Sequence, residues 1–139
     1  MKKLTVEANI DNLDQVTDFI TRELEDADCS VKVQMQIELA VEEIFVNIAH
    51  YAYNPGTGNA DVFVGMTDDG SVCIRFIDSG VPYNPLAKPD PDVTLSANER
   101  AVGGLGIFMT KKVMDNISYE YRDGQNILTM EKKIGGKAG

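Results

Sequence analysis

The sequence lacks long apolar runs. Its apolar stretches cover only a few residues each, which is far too short to span a bilayer. The first residues, MKKLTVEANID, begin with a basic pair but have no apolar segment behind them, so we expect no signal peptide. Cysteine is scarce too, and Cys29 and Cys73 do not have the spacing of a metal site. We therefore expect two reduced thiols in a cytoplasmic protein, with a disulfide as the alternative.

Positive charge is the second shortage. The 139 residues include 13 Lys and Arg against 22 Asp and Glu, which gives a net charge of −9. This balance argues against direct contact with nucleic acid or with anionic membranes. It is compatible with a protein partner, or with a phosphate ligand that is held by backbone amides. The length and the 43% hydrophobic content fit one domain, which we place at 1–134, followed by a disordered tail at 135–139.

The hydrophobic patterns predict the element order β-α-α-β-β-loop-α-β-β. Ser30 is suited to cap the second helix. Asp69-Gly70 and Asp123-Gly124 each lie between two β-rich runs, and they predict two hairpins. Helices and hairpins in this order favour an α+β fold. We expect a two-layer sandwich with a mixed, mostly antiparallel sheet and helices on one face.

Residues 81–104 show no clear periodicity, and four prolines fall between Pro82 and Pro91. A loop of this length is unusual in a small domain, where it is typically a lid, a binding loop or a disordered segment. It begins just after the strand that ends in DSG, and it finishes in the glycines of GGLG at the start of a helix. Both of its ends therefore lie beside candidate ligand-binding segments.

The stretch VEEIFVNIAHYAY carries an asparagine inside a helical apolar pattern. At about 100° per residue, Asn47 lies about 80° from the core position Ile37, and Glu43 lies about 40° further round. Glu42 falls on the opposite flank. Glu43 and Asn47 thus form one polar pair beside the core face, with oxygen donors suited to Mg²⁺ or to orienting a hydroxyl group. The alternative is a solvated Glu43 and an Asn47 that bonds a neighbouring backbone group.

The segment FIDSGVPYNP places Asp78 at the end of an apolar strand, two residues before Gly80. A carboxylate there is suited to accept a hydrogen bond from the exocyclic amine of a purine. The glycine allows a ring to approach the backbone closely. The alternative is an ordinary turn, because Asp-x-Gly commonly ends a strand.

The segment AVGGLGIFMTKKVMD places Gly103, Gly104 and Gly106 at the start of a helix. Backbone amides at such a position, together with the helix dipole, bind phosphate. The segment is neither a Walker loop nor a good Rossmann fingerprint, because no Gly-Lys-Ser/Thr follows and the third glycine is missing. The alternative is a flexible hinge that precedes the helix.

Taken in order along the chain, these three signals resemble one known superfamily. The Glu43-x-x-x-Asn47 helix, the Asp78-x-Gly80 strand end and the long loop before GGLGI are similar to the gyrase, Hsp90, histidine-kinase and MutL ATPases, which share the Bergerat nucleotide-binding fold. The match covers almost the whole chain. Within it, DSGVPYNPL and GGLGIFMTKKVMDNISYEY most resemble the bacterial anti-sigma factor serine-kinase group.

The resemblance implies ATP and Mg²⁺ as ligands. Asn47 would hold Mg²⁺, and Glu43 would be the general base or the residue that orients a water molecule. Asp78 would receive the adenine amino group, and Gly80 would lie against the ring. Thr129 would support the Asp78–adenine contact from a neighbouring strand.

The residues that would close over the phosphates stand at the end of the long loop: Gly103, Gly104, Leu105 and Gly106. Arg100, just before them, would either contact a phosphate or pair with an acid of the loop such as Asp92 or Glu99, and we favour the pairing. The only histidine, His50, lacks the neighbours of a phospho-acceptor histidine, which excludes a complete sensor kinase.

The function that the resemblance implies is an ATP-dependent serine/threonine protein kinase that is also an anti-sigma factor. It would bind a sigma factor and phosphorylate an anti-anti-sigma partner of the STAS type, and a homodimer is expected on the same ground. One alternative is a non-catalytic, nucleotide-gated module that sequesters a sigma factor or another regulator. Another is a plain interaction domain that binds no nucleotide.

Overall fold

The computed structural model describes residues 1–87 and 104–134. Within these ranges the elements follow the predicted order, with two short 3₁₀ turns added at Ile10–Asn12 and Pro85–Ala87. The helices and strands are β1 Lys2–Glu7, α1 Leu13–Asp26, α2 Val31–Tyr51, β2 Asn59–Met66, β3 Ser71–Asp78, α3 Gly104–Val113, β4 Asn116–Arg122 and β5 Gln125–Lys133.

The five strands form one sheet in the order β1-β2-β3-β5-β4. Every neighbouring pair of these strands is antiparallel. The α+β fold with a mostly antiparallel sheet is therefore confirmed, and the described strands contain no parallel pair. Strands β3 and β5 are adjacent, and their register places Asp78 directly opposite Asn126 and Arg75 opposite Thr129. This register sets the site described below.

The two hairpins form at the predicted turns. In the β4–β5 hairpin, Asp123 and Gly124 have φ values of 55° and 80°. Two central residues with positive φ are typical of a type I′ turn, whose twist matches that of the strands. In the β2–β3 hairpin, Gly70 has a φ of 85°, a value at which a side chain would be strained. Local turn chemistry is enough to explain both hairpins.

Helix α2 begins as predicted. The Ser30 hydroxyl accepts a hydrogen bond from the Val33 amide at 3.2 Å, so it caps the first turn. Helices α1, α2 and α3 contribute buried side chains to one core with the inner face of the sheet. Burying this much apolar surface is the main stabilising contribution to the fold. The largest fully buried side chains include Phe45, Phe76, Ile20, Leu24, Ile37, Ile44, Ile74 and Met130.

Two of the predicted segments lie outside the described ranges. Residues 88–103, which make up most of the predicted loop, lie outside them, and so do residues 135–139 of the predicted tail. The boundary at 134 therefore stays a prediction.

Cys29 and Cys73 are both free thiols. No helix within the described ranges combines the length and the apolar character needed to cross a bilayer.

Candidate functional site

The structure brings Glu43 and Asn47 together on helix α2. The Asn47 Nδ2 donates a hydrogen bond to the Glu43 Oε2 at 3.2 Å, and both side chains are half-buried. Glu42 is exposed, in keeping with its position on the other flank. Because Asn47 uses its nitrogen for this bond, its carbonyl oxygen is the atom suited to a cation. The roles of both residues stay a prediction.

Gly106 lies directly against this pair. A Cβ atom on Gly106 would be 2.0 Å from the Glu43 Oε1, so a larger residue at this position would displace the Glu43 carboxylate. Gly104 is the first residue of α3, and Leu105 and Gly106 follow it in the first turn. A carboxylate beside the first turn of a helix is favoured by the helix dipole. Gly103 and Arg100 lie outside the described residues, as do the loop acids proposed to pair with Arg100.

Asp78, the last residue of β3, is a buried carboxylate. The residue is only 5% exposed. The Oδ1 accepts two hydrogen bonds of 2.9 Å, from the Gly80 amide and from the Asn126 Nδ2. Burial raises the pKa of Asp78 above its ordinary value of 3.8, while the bonds from Asn126 and Gly80 oppose the shift. A buried acceptor at a strand end is thus held in place before any ligand arrives.

Asn126 is a residue of the site that sequence reasoning missed. It lies on β5 directly opposite Asp78 and is buried among the cavity walls. One signal was available in the strand QNILTMEKK, where Asn126 shares the inward-facing positions with Leu128 and Met130. A polar side chain at a core position must find hydrogen-bond partners, which makes it a candidate for a structured site.

The expected contact between Thr129 and Asp78 is wrong. Thr129 lies opposite Arg75, and its Oγ1 accepts a hydrogen bond from the Arg75 Nε at 3.2 Å. Successive side chains of a strand point to opposite faces of the sheet. Thr129 is three positions from Asn126 along β5, so its side chain lies on the other face. Asn126, and not Thr129, supports Asp78 from the neighbouring strand.

Gly80 connects the end of β3 to the end of α2. A Cβ atom on Gly80 would be 2.1 Å from the Ala52 carbonyl oxygen, and the next amide, that of Val81, donates to the same oxygen at 2.8 Å. The glycine is therefore required by a contact within the protein itself. Its predicted approach to a ligand ring stays a prediction.

A cavity lies between the second half of α2 and strands β3, β4 and β5. It holds about 400 Å³ of empty space, part of which is open to solvent. The walls are mostly apolar or aromatic, and the Tyr51 and Tyr83 rings lie at its edge with centroids 5.2 Å apart. The polar side chains in the lining include Asp78, Asn126 and Asn47. Apolar walls with a few placed polar groups are typical of a small-molecule site.

A second depression lies on the other side of Glu43. This groove, with about 980 Å³ of empty space that is partly open to solvent, runs between α2 and α3 and is lined in part by Glu43, Gly106, Leu39 and Met109. Helix α2 therefore borders both spaces, with Asn47 at the cavity and Glu43 at the groove. Within the described part of the chain, no group of three or more His, Cys, Asp or Glu side chains is placed to hold a metal ion. A cation bound through a single amide oxygen fits Mg²⁺, which takes most of its remaining ligands from phosphates and water.

A family model described as a histidine kinase-like ATPase domain matches residues 6–132. The chain belongs to this family. The match includes both the cavity and the groove, because it extends from β1 to β5. The resemblance inferred from the three segments is thereby confirmed.

Two curated relatives of this ATPase domain are named as protein kinases. The serine/threonine-protein kinase BtrW of Bordetella bronchiseptica is 28% identical over 101 residues, which is 73% of this chain and 71% of BtrW. The serine-protein kinase RsbW of Bacillus mycoides is 26% identical over 96 residues, which is 66% of this chain and 59% of RsbW. The match thus spans less than two thirds of the length of RsbW.

Solved structures share the fold at low identity. The structure of the RsbU and RsbW domains of a Mycobacterium tuberculosis protein matches 96% of this chain and 33% of that one, with a TM-score of 0.64 and 18% identity. The Acinetobacter baumannii histidine kinase AdeS matches 98% of this chain and 70% of its own, with a TM-score of 0.57 and 11% identity. These likenesses concern the ATPase fold.

Proposed function

We propose that the chain is an ATP-dependent serine/threonine protein kinase that acts as an anti-sigma factor and phosphorylates an anti-anti-sigma partner of the STAS type. The observation that carries the proposal is the arrangement along α2. One helix presents Asn47 to the cavity that contains Asp78 and Glu43 to an open groove, with Gly106 packed against the carboxylate. The kinase names of the BtrW and RsbW relatives support protein kinase activity. A sigma factor as partner, a cytoplasmic location and a homodimer are proposed on the family resemblance.

The cavity is suited to the adenine end of ATP. Asp78 Oδ1 receives both hydrogen bonds described above, so Oδ2 is the oxygen left to accept from an exocyclic amine. The rings of Tyr51 and Tyr83 offer apolar surface to a planar base. The amides of the first turn of α3 would face the phosphates, which explains how a chain with a net charge of −9 can bind an anion.

Phosphoryl transfer requires mostly positioning and charge neutralisation. Asn47 Oδ1 would hold Mg²⁺, whose charge neutralises the phosphates. The acceptor hydroxyl would enter along the groove, and its oxygen would attack the γ-phosphorus while its proton passes to Glu43. The bond from the γ-phosphorus to the β,γ-bridging oxygen breaks, and ADP leaves. A general base of this kind contributes about 10²–10⁴-fold to the rate.

The test is a transfer reaction with γ-labelled ATP, Mg²⁺ and a purified STAS-type domain as the candidate acceptor. We expect ATP with Mg²⁺ to raise the melting temperature, since a ligand of the native state stabilises it, and we expect label on a serine or threonine of the partner. Stabilisation by ATP without transfer would favour the non-catalytic, nucleotide-gated module. No stabilisation at millimolar ATP would leave only the plain interaction domain.

A further inference from the structure

Asn126 joins several segments around the cavity through its side-chain amide. The residue is 6% exposed, and its amide bonds four groups from three segments. The Nδ2 donates to the Asp78 Oδ1 and to the Val81 carbonyl oxygen, both at 2.9 Å. The Oδ1 accepts from the Tyr83 amide at 3.1 Å and from the Tyr119 hydroxyl. The side chain thus ties β5 to the end of β3, to the segment that follows β3, and to β4.

These partners fix which way the amide points. An exchanged amide would set the Asn126 oxygen against the Asp78 carboxylate and its nitrogen against the Tyr83 N–H. The first contact would join two acceptors and the second two donors, and neither can form a hydrogen bond. The donor of Asn126 therefore faces Asp78 for chemical reasons.

The bond to Asp78 matters because that carboxylate is buried. Burial alone favours the protonated acid and raises its pKa, whereas the bonds from Asn126 and Gly80 favour the charged form. The charged form offers only acceptors, and a protonated carboxyl also carries a donor. Asn126 therefore influences both the charge of Asp78 and the direction of its remaining oxygen.

We propose that Asn126 is a positioning residue for nucleobase recognition. Its amide holds Asp78 as an oriented acceptor for the 6-amino group of a purine, and it holds residues 81–83 as a wall of the same cavity. Asn126 acts through Asp78 and determines the preference for a 6-aminopurine over a 6-oxopurine nucleotide. The inference rests on the proposed function only as far as ATP binding, and it is independent of phosphoryl transfer.

ATP and ITP are the probes, because inosine carries an oxygen where adenine carries the 6-amino group. We expect the wild type to prefer ATP, and we expect Asn126→Asp to reduce this preference roughly tenfold at about pH 8, where two adjacent carboxylates repel each other. As the pH is lowered, the repulsion between the two carboxylates favours uptake of one proton by the pair, and the new acid donates to Asp78 as the amide did. The preference of the variant relative to the wild type should then recover.

The other titratable groups in the lining are Tyr51, Tyr83 and Tyr119, so Asp78 is the only carboxylate among the described lining residues. Burial raises the pKa of Tyr119 above its ordinary value, so the hydroxyl that bonds Asn126 stays neutral in the experiment. The matched control is Asn116→Asp, the same chemical change at an exposed position on β4, which should leave the preference unchanged at every pH. Calorimetric titration gives the dissociation constants, and circular dichroism at each pH confirms that the variants are folded.

A loss of affinity for ATP and ITP by the same factor at every pH would show a merely structural role and overturn the proposal, as would an unchanged preference. If Asn126→Asp does not fold, Tyr119→Phe removes one bond to the amide, and the preference should fall about threefold. No change in that variant would also overturn the proposal. Wild-type titration separates the two failures, since a protein that binds ATP but transfers no phosphate loses the proposed function and keeps this inference.

Discussion

The two ends of the site along helix α2 are built in different ways. At the cavity, Asp78 is held by Gly80 and Asn126, and the end of α2 is joined to the same segment through the Ala52 carbonyl oxygen. At the groove, Glu43 accepts a hydrogen bond from Asn47 on its own helix and lies against Gly106 of α3. The cavity is therefore fixed by several hydrogen bonds that strengthen one another, whereas the groove depends on how α3 packs on α2. Substitutions in the cavity should change nucleotide binding, and substitutions at the groove should change phosphate transfer.

The largest effect is expected at the groove. Glu43→Gln keeps the shape of the side chain but removes the proton acceptor, so phosphate transfer to the partner should fall about 10²–10⁴-fold. ATP affinity, measured by calorimetry, should change little because the cavity is intact. Glu42→Gln is the matched control, since Glu42 is the exposed neighbour on the other flank. Equal losses in the two variants would remove the distinction between these glutamates.

The next effect belongs to the cavity and has two parts. Asp78→Asn puts a donor where the purine amine needs an acceptor, so ATP affinity should fall roughly 100-fold by calorimetry. The stability of the Asp78→Asn variant should instead rise relative to the wild type. Burial raises the pKa of Asp78 in the folded protein, so the wild type loses stability as the pH rises from 3.8 through that raised pKa. The amide does not titrate.

Urea unfolding should therefore show that Asp78→Asn gains stability over the wild type as the pH rises, and that the gain is complete above the folded pKa of Asp78. Asp68→Asn, at an exposed loop position, serves as the control and should leave ATP affinity unchanged. A variant that is both less stable and weaker in binding would mean that Asp78 is needed for folding first.

A smaller effect is expected from the contact between α3 and α2. In Gly106→Ala the new Cβ would lie 2.0 Å from the Glu43 Oε1, so the carboxylate or the helix must shift. Transfer should fall roughly tenfold, because small displacements of catalytic groups are costly, while the ATP-over-ITP preference set in the cavity stays unchanged. Gly65→Ala is the control, since the nearest atom to its Cβ would be the Met1 Cγ at 3.0 Å, far from the groove. A change in the ATP-over-ITP preference of Gly106→Ala would show that the groove and the cavity are coupled.

Local signals in the sequence predicted most of the fold and the contact between Glu43 and Asn47, but not the contact between Asp78 and Asn126. The Glu43–Asn47 pair follows from helical periodicity, and the Asp123-Gly124 turn follows from its own residues. The role of Asn126 was not predicted because its hydrogen-bond partner Asp78 is 48 positions away in the sequence. No local pattern specifies how the strand of Asp78 pairs with β5. Once the register of β3 on β5 is known, the bond between them is a simple consequence.

The same missing register explains the error at Thr129, and it gives the smallest predicted effect. Thr129→Val removes the acceptor for the Arg75 Nε on the outer face of the sheet, so stability should change by about 0.5 kcal/mol or less in urea unfolding. ATP affinity should stay within about twofold of the wild type, because Asp78 lies on the inner face. Asn126→Asp, with its pH-dependent loss, is the contrasting variant on the same strand. If Thr129→Val instead weakens ATP binding tenfold while Asn126→Asp does not, the support of Asp78 passes through Thr129, and the face assignment of β5 has to be reversed.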